Sequence, residues 1–302
     1  MKWTKRGLLF EAPTHLAWAR SHAALPIVGD VQGTRARLYF SARDEHSRAQ
    51  IGSAIVDVED PGVAVQVEPE PVVRMGRRGA YDDSGVTGGC LVVQGGVHHL
   101  YYSGWSLDVE VPFLFFIGCA VSTDGGATFE KVSESPILGR NRFDPYLTAS
   151  PSILVEGATW RMWYVSGTGW SSGEKPEPNY RIVYAESTDG IEWRPTGFTC
   201  IDYSAEGEHA IARPHVIKDG GTYRMWYSHR GKRYRIGYAE SNDGLIWTRR
   251  DGEVGIDVSP EGWDSEMVAY PWVGDIASRR RMLYNGNSYG RTGIGQAVLE
   301  VG

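Results

Sequence analysis

Short runs of aromatic and β-branched residues, separated by clusters of glycine, asparagine and aspartate, recur along the whole chain. The clearest example begins with an apolar run at Ala212–Lys218, which ends in an Asp-Gly-Gly turn. A second run follows at Tyr223–Ser228, then a basic connection and a third run at Tyr234–Glu240. Runs of this kind bounded by turn residues predict antiparallel strands that follow one another as a meander.

The same unit occurs five times. RMWYSHR at Arg224 matches RMWYVSG at Arg161, and weaker copies stand at three other places: HLYYSGW at His99, RLYFSAR at Arg37 and RMLYNGN at Arg281. The last aromatic of each copy serves as an anchor, and successive anchors are 62, 62, 63 and 57 residues apart: Phe40, Tyr102, Tyr164, Tyr227 and Tyr284. Repeated meanders bury their faces against their neighbours in a toroid. We therefore predict an all-β fold, a five-bladed β-propeller.

The propeller is predicted to be one domain over residues 1–302. Its blades are expected at about 15–70, 80–135, 144–200, 208–252 and 263–302, the last completed by residues 3–9. The text Trp-Thr-Lys-Arg at Trp3 echoes Trp-Thr-Arg-Arg at Trp247, where an outer strand begins, and the fifth unit is one strand short. The N-terminal strand is therefore expected to close the ring and to cover an exposed sheet edge.

Charge and motifs narrow the range of partners. The net charge of −6 argues against a nucleic-acid partner held by electrostatics. No nucleotide-binding or zinc motif is present, so no cofactor or metal is expected. The three cysteines lack metal-ligand spacing, and the N-terminus lacks a long apolar run. These features predict a cytoplasmic protein without a membrane partner, a monomer or weak homo-oligomer.

The direction of the strands sorts the loops onto two faces. The starts of the first strands and the loops between second and third strands share one face, face T, whereas the loops after the third strands lie on the other, face B. Three aspartates in Ser-x-Asp-Gly turns are expected on face B as turn formers, namely Asp124, Asp189 and Asp243.

Face T collects a different set of residues, which should converge on one funnel at the ring axis. Four carboxylates there are predicted to be catalytic: Asp83, Asp144, Glu208 and Glu266. The predicted substrate-binding residues are His22, Arg43, Asp82, Trp105, Ser150, Trp170, His209, Arg213, His229, Arg230, Asn285, Asn287 and Tyr289. Convergent carboxylates ringed by aromatic residues are the equipment of glycosyl transfer, because one protonates the leaving oxygen while another activates water or attacks the anomeric carbon. The opposing interpretation is that each acid caps a loop or pairs with an arginine.

The chain resembles the five-bladed propeller glycoside hydrolases and phosphorylases, a group that holds families 32, 43, 62, 68 and 130. The resemblance covers the five units, the acidic funnel and the phrases DPYLTASPSI at Asp144 and WYSHRG at Trp226. It implies three acids acting from successive blades: a base or nucleophile, a pKa-modulating aspartate and a general acid glutamate. The base would stand at the start of the first blade, where this chain has Ser-His-Ala-Ala at Ser21.

A second departure is the basic wall that the fourth unit supplies: His209, Arg213, His215, His229 and Arg230. The guanidinium of arginine is suited to bidentate hydrogen bonds with phosphate. The resemblance to mannoside phosphorylases implies cationic groups in the funnel that bind inorganic phosphate. The leading hypothesis is cleavage of a glycosidic bond, by hydrolysis or by phosphorolysis with inorganic phosphate as co-substrate. Glu208 would be the general acid, Asp83 or Asp144 the base or modulator, and Glu266 a further acid or anchor. The alternatives are a non-catalytic propeller that binds a glycan or glycoconjugate, and a transferase acting on a phosphorylated or nucleotide-linked sugar.

Overall fold

The protein is all-β in a computed structural model that describes residues 1–62, 64–204 and 206–300. The first ten strands are β1 Trp3–Phe10, β2 Ser21–Gln32, β3 Arg35–Arg43, β4 Ala49–Asp57, β5 Ala64–Val67, β6 Gly85–Gln94, β7 Val97–Ser106, β8 Leu114–Ser122, β9 Glu130–Lys131 and β10 Thr148–Glu156. The rest are β11 Thr159–Trp170, β12 Pro178–Ser187, β13 Arg194–Ile201, β14 Ala210–Asp219, β15 Thr222–Arg230, β16 Tyr234–Ser241, β17 Thr248–Arg249, β18 Ala269–Ile276, β19 Arg279–Asn285 and β20 Ile294–Leu299. Residues 301 and 302 of the predicted fifth unit lie outside the described part.

The described strands form three sheets of four, eight and eight strands, within which five antiparallel groups of four, called units here, can be distinguished. Single parallel residue pairs join the units in each larger sheet: Ala49 with Gly85, and Tyr180 with Ala210. The first four units are β2–β5, β6–β9, β10–β13 and β14–β17, each a meander in sequence order. The fifth has the order β1-β20-β19-β18, so the N-terminal strand pairs with the last strand of the chain. In this pairing Trp3 lies opposite Leu299, and its buried indole packs edge-on against Trp226 of the fourth unit at 6.3 Å.

Each first strand carries an irregularity at the same place. In four of the five, the residue before a proline has a positive φ: 57° at Leu25, 48° at Ser150, 52° at Arg213 and 58° at Tyr270. The antiparallel register shifts at the same points of β2, β10, β14 and β18, and at Gly88 in β6. Non-glycine residues seldom adopt a positive φ, and those that do are concentrated at functional sites.

Hydrogen bonds between neighbouring units fix these bulges. The bulge amide of one unit donates to a side chain on the second strand of the preceding unit: Gly88 to Ser41 Oγ at 2.9 Å, Ser150 to Ser103 Oγ at 2.8 Å, Tyr270 to Ser228 Oγ at 2.7 Å and Leu25 to Asn285 Oδ1 at 2.8 Å. The last of these runs from the first unit to the fifth. The first strands also contact one another in the order β2, β6, β10, β14, β18 and β2 again.

The three aspartates predicted to form turns do so. Asp189 Oδ1 accepts hydrogen bonds from the amides of Ile191 and Glu192 at 2.8 Å, and Asp124 and Asp243 make the equivalent contacts. The turn function of these residues is therefore confirmed. Among the described residues, no helix has the length and apolar character that crossing a membrane requires.

Candidate functional site

A cavity lies where the five units meet, at the end that carries the bulges. It has a volume of about 190 Å³ and opens into an outer chamber of about 510 Å³. All five units contribute to its lining, which includes Leu25, Thr87, Ser150, Ala212 and Tyr270. The positions are those of the bulged first strands, so the backbone irregularity is what places these side chains around the cavity.

Tyrosines and arginines form one side of the cavity. Tyr180, Tyr234, Tyr270 and Tyr289 line both the inner part and the outer chamber. The hydroxyls of Tyr180 and Tyr234 contact each other. Burial raises the pKa of both, so both hydroxyls remain protonated at neutral pH. One of them donates to the other, which leaves one hydroxyl proton of the pair for a ligand.

Two further titratable groups from the first unit complete this side. Arg43 lines both parts of the cavity, and His22 lines the inner part with a φ of 62°. Burial, together with the charges of Arg43 and Arg291, lowers the pKa of His22 to about 4. The imidazole is therefore neutral at pH 7, and the positive charge of the first unit in the cavity comes from Arg43.

Arg213 does not reach the lining, contrary to its predicted place in substrate binding. It is 2% exposed, and its guanidinium donates to the backbone oxygens of Pro26, Gly88 and Gly89. These carbonyls belong to the bulges of the first and second units, so the side chain crosses from the fourth unit to hold them. Burial lowers the pKa of Arg213 to about 10, which leaves it charged at neutral pH. Its donors are directed to backbone rather than to a phosphate.

Aromatic rings form another part of the wall. Phe113 and Phe115 line the cavity, and Trp105 lines the outer chamber. Phe113 packs against Phe115 at 5.0 Å and against Trp170 at 5.4 Å, and Phe115 lies 6.3 Å from Trp105. The two predicted tryptophans thus belong to one aromatic cluster beside the cavity. Such a surface suits stacking against the apolar face of a sugar ring.

The predicted convergence of four carboxylates on the cavity is not observed. Among the described residues, the inner lining contains no aspartate or glutamate, and the outer chamber contains one, Glu177. In three units, an acid at the start of the unit instead accepts a hydrogen bond from the anchor tyrosine of the repeat: Asp82 from Tyr102 at 3.3 Å, Asp144 from Tyr164 at 2.7 Å and Asp264 from Tyr284 at 2.9 Å. In the fourth unit Asp251 takes this position, 2.6 Å from Tyr227.

This pairing explains the missing acid of the first unit. Its anchor is Phe40, which has no hydroxyl and therefore needs no carboxylate beside it. Asp144, only 1% exposed, also accepts a hydrogen bond from Asn141, and Asp82 lies 2.5 Å from Lys131. The contacts of these two acids are those of buried structural partners, and their predicted place in a substrate site stays a prediction.

Glu208 is held by two basic side chains. It lies 2.9 Å from Nδ1 of His229, and both of its oxygens accept hydrogen bonds from Arg249, at 2.8 and 2.9 Å. Burial acts to raise the pKa of Glu208, but the hydrogen bonds from His229, Arg249 and the Ser204 amide outweigh it and hold the pKa well below the ordinary value. A general acid needs a raised pKa, so the environment of Glu208 is the opposite of the predicted one.

Four further predicted residues are absent from the lining of the cavity and of its chamber. Asp83 accepts hydrogen bonds from the Gly79 amide and the Ser84 hydroxyl, and Glu266 pairs with Arg233. The side-chain amides of Asn285 and Asn287 form hydrogen bonds with backbone groups of the fifth unit, and Asn285 also with those of the first. The predicted residues that do line the cavity or its chamber are His22, Arg43, Trp105, Ser150, Arg230 and Tyr289.

Sequence reasoning missed the group of residues at the start of the third strands. Phe115, Tyr180 and Tyr234 follow the loops between second and third strands, at the same position in three units. These starts also lie on face T by the direction of the strands, so the parity rule could have found them. Glu177, at the end of the long insertion in the third unit, was missed because it belongs to a loop.

No family model matches the chain. Among solved structures, it is similar to a glycoside hydrolase, with a TM-score of 0.77 and 20% identity over 99% of this chain and 92% of that one. It is similar also to a glycosyl hydrolase from Bacteroides ovatus, with a TM-score of 0.69 and 14% identity over 99% and 90%, and to a thermostable family-43 glycoside hydrolase, with 0.67 and 17% over 96% and 91%. At these identities the likeness shows a shared fold.

Two proteins of Mycobacterium tuberculosis are more similar in sequence. The uncharacterized protein Rv1502 of strain ATCC 25618 / H37Rv is 45% identical over 300 residues, which cover 99% of this chain and 100% of that protein. The uncharacterized protein MT1551 of strain CDC 1551 / Oshkosh has the same identity and coverage. The protein therefore belongs to the same family as Rv1502 and MT1551.

Proposed function

We propose that the protein is a carbohydrate-active protein whose central cavity binds a glycoside. The observation that carries the proposal is the composition of the cavity wall. Aromatic rings around Phe113 and Phe115 stand with hydroxyl, imidazole and guanidinium groups from Ser150, Tyr234, His22 and Arg43. Aromatic surfaces stack on sugar rings, while convergent polar groups bind their hydroxyls. The fold shared with glycoside hydrolases supports this function by analogy.

Cleavage of the glycosidic bond, by hydrolysis or phosphorolysis, is the reaction that this fold favours. Arg43 supports phosphorolysis in particular, because a guanidinium in the lining suits inorganic phosphate as a co-substrate. Catalysis by Asp83, Asp144, Glu208 and Glu266 stays a prediction, and their hydrogen bonds favour a structural function instead.

A second candidate is a glycan-binding protein without turnover. Hydrolysis by two carboxyl groups requires them to lie about 5 to 10 Å apart across the bond. The lining of the described part of the chain supplies one, Glu177, at the outer chamber. This observation favours binding without catalysis, whereas nothing in the lining favours a transferase that acts on a nucleotide-linked sugar.

We also infer that the five units are the blades of a five-bladed propeller, a single domain in which β1 closes the ring. The cyclic contacts of the first strands and the hydrogen bond from Leu25 to Asn285 support this arrangement. The pairing of β1 with β20 supports the closure.

The test is a panel of aryl glycosides and oligosaccharides, incubated with and without inorganic phosphate. Turnover without phosphate identifies a hydrolase, and turnover that requires it identifies a phosphorylase. Saturable binding without turnover identifies the second candidate. Thr87 lines both parts of the cavity, so Thr87→Trp fills it and should abolish both turnover and saturable binding. Thr248→Trp on the exposed outer strand is the matched control. An unchanged response in Thr87→Trp would contradict the proposal.

A further inference from the structure

The outer chamber has an excess of positive charge within an acidic protein. Arg43 and Arg230 both line it, and Arg213 lies buried nearby in the ring of bulges, whereas Glu177 is the carboxylate in the lining of the described part. The net charge of the whole chain is −6. Arginines gathered in a concave site raise the local concentration of anions, because a low-dielectric wall focuses their field.

The guanidinium of Arg43 has hydrogen-bond donors that no other group of the described residues uses. In the described part of the chain, its guanidinium has neither a hydrogen-bond partner nor an ion-pair partner, although it belongs to the lining of both cavity parts. The adjacent carboxylate, Asp44, pairs with Arg48 instead, at 2.7 Å. His22 is neutral, so it cannot neutralise an anion beside Arg43 nor repel one. A planar guanidinium in this state is suited to a carboxylate or phosphate group.

Arg230 differs from Arg43, because its guanidinium already pairs with a carboxylate of the protein, that of Glu177. Its Nη2 lies 2.8 Å from Oε2 of Glu177, and the same oxygen is 3.8 Å from Nε2 of His209. The Tyr289 hydroxyl accepts from Arg230 Nη1 at 3.3 Å, and the guanidinium lies over the ring of Tyr234 at 5.2 Å. Arg230 thus holds a carboxylate oxygen that the protein itself supplies, with His209 nearby but beyond hydrogen-bond distance.

The ion pair is asymmetric, and this makes Glu177 replaceable. The side chain of Arg230 is 11% exposed, whereas that of Glu177 is 57% exposed. Glu177 ends the loop between β11 and β12, where its amide and carbonyl are tied to Ser171. If another anion took its place beside Arg230, the 57% exposed side chain of Glu177 could turn into water and regain its hydration. Arg230 would keep a partner throughout.

We infer that Arg230 and Arg43 bind an anionic group of the sugar ligand, and that Glu177 occupies this position until the ligand displaces it. The inference rests on the proposed function, and it narrows the ligand to sugars with a carboxylate or phosphate group. The neutral part of such a ligand would face the aromatic cluster of Phe113 and Trp105 across the chamber.

The experiment measures binding of matched pairs by calorimetry: glucose with glucuronate and glucose 1-phosphate, galactose with galacturonate, and inorganic phosphate alone. The wild type should bind the acidic member of a pair at least about tenfold more tightly, and added salt should reduce this preference. Arg43→Gln should remove the preference. Glu177→Gln should raise the affinity for the acidic sugar several-fold and leave the affinity for the neutral sugar unchanged, because it removes the carboxylate that competes for Arg230. Arg181→Gln, at a half-buried arginine that pairs with Asp202 and does not line the cavity or its chamber, is the control.

Equal binding of neutral and acidic members, with no response to Glu177→Gln, would overturn the inference and leave the proposed function standing. Binding of inorganic phosphate without any preference among the sugars would also overturn it, since the anion would then be a co-substrate. If no sugar in a broad panel binds, the proposed function fails as well. The thermal midpoint of each variant checks that the fold is intact.

Discussion

The hydroxyl of Tyr164 donates a hydrogen bond of 2.7 Å to the carboxylate of Asp144, and both side chains are buried. Tyr164 is the repeat anchor of the third unit, and the same pairing recurs in the second, fourth and fifth units. Burial raises the pKa of Tyr164, with the charge of Asp144 adding to the shift, so the phenol remains a donor at any physiological pH. The acids paired with these anchors therefore stabilise the fold.

Removing this carboxylate should destabilise the protein. Asp144→Ala leaves the Tyr164 hydroxyl without its acceptor, which should lower the free energy of unfolding by about 1 to 3 kcal/mol. Urea denaturation measures the loss. Asp144→Asn keeps an acceptor and should cost less. Sugar binding per folded molecule should stay within a few-fold of wild type in Asp144→Asn, and its loss with an unchanged unfolding midpoint would restore Asp144 as a site residue.

Glu208 makes the stability depend on pH in a defined direction. Its pKa is held below its ordinary value of 4.5 by the hydrogen bonds that outweigh its burial. The ion pair with Arg249 therefore stabilises the fold at pH values above 4.5, and this contribution is lost as the pH falls toward the folded pKa. Glu208→Gln should be less stable than wild type by up to about 3 kcal/mol at pH 7.

In thermal melts, the difference between Glu208→Gln and wild type should stay constant from pH 6 to about pH 4.5, the ordinary glutamate pKa, and shrink from there to pH 3. A difference that stays constant down to pH 3 would show that the pKa of Glu208 is the same in the folded and unfolded protein, which contradicts its stabilisation by Arg249 and His229. The same variant tests catalysis, because a general acid would lose about a hundredfold in turnover, whereas we expect little change per folded molecule.

The N-terminal strand should be required for stability. Deleting residues 1–7 removes most of β1 and the buried Trp3, which packs against Trp226 and whose loss alone should cost about 3 to 5 kcal/mol. The truncated protein also exposes the edge of β20, so it should aggregate. Light scattering and the thermal midpoint measure both effects. Unchanged values would contradict the closure of the ring by this strand.

The turn aspartates should contribute to stability only. Asp189→Ala removes the acceptor of the Ile191 and Glu192 amides, which should cost about 1 to 2 kcal/mol. Asp189 does not line the cavity, so sugar affinity per folded molecule should persist. A variant that is as stable as wild type but fails to bind would argue against a structural function for this turn.

The repeat could be predicted from sequence because each unit buries aromatic residues at the same place on its second strand, as at Trp163 and Tyr164. The turn chemistry of Asp189 was equally visible, since its Ser-x-Asp-Gly pattern acts locally. The site was harder to predict, because the sequence around an acid such as Asp144 does not distinguish a carboxylate that faces a cavity from one that accepts a hydrogen bond from an anchor tyrosine. Tyr180 and Tyr234 meet only through folding, 54 residues apart in sequence.

Arg213 illustrates the same limit. An arginine before a proline at the start of an inner strand predicts a cationic group at the axis, and the residue does occupy one of the bulges, with a φ of 52°. Its acceptors are carbonyls of residues more than a hundred positions away in the chain, at Pro26 and Gly88. Only the packing of the units decides that these carbonyls, rather than a ligand, take its hydrogen bonds.

The measurement that tests the central claim most directly is sugar affinity in two variants that separate the cavity from the predicted acids. With the tightest ligand of the panel, calorimetry should show that Thr87→Trp, which fills the cavity, no longer binds. Glu208→Gln should bind within a few-fold of wild type. Retained binding in Thr87→Trp together with lost binding in a folded Glu208→Gln would contradict the cavity as the functional site.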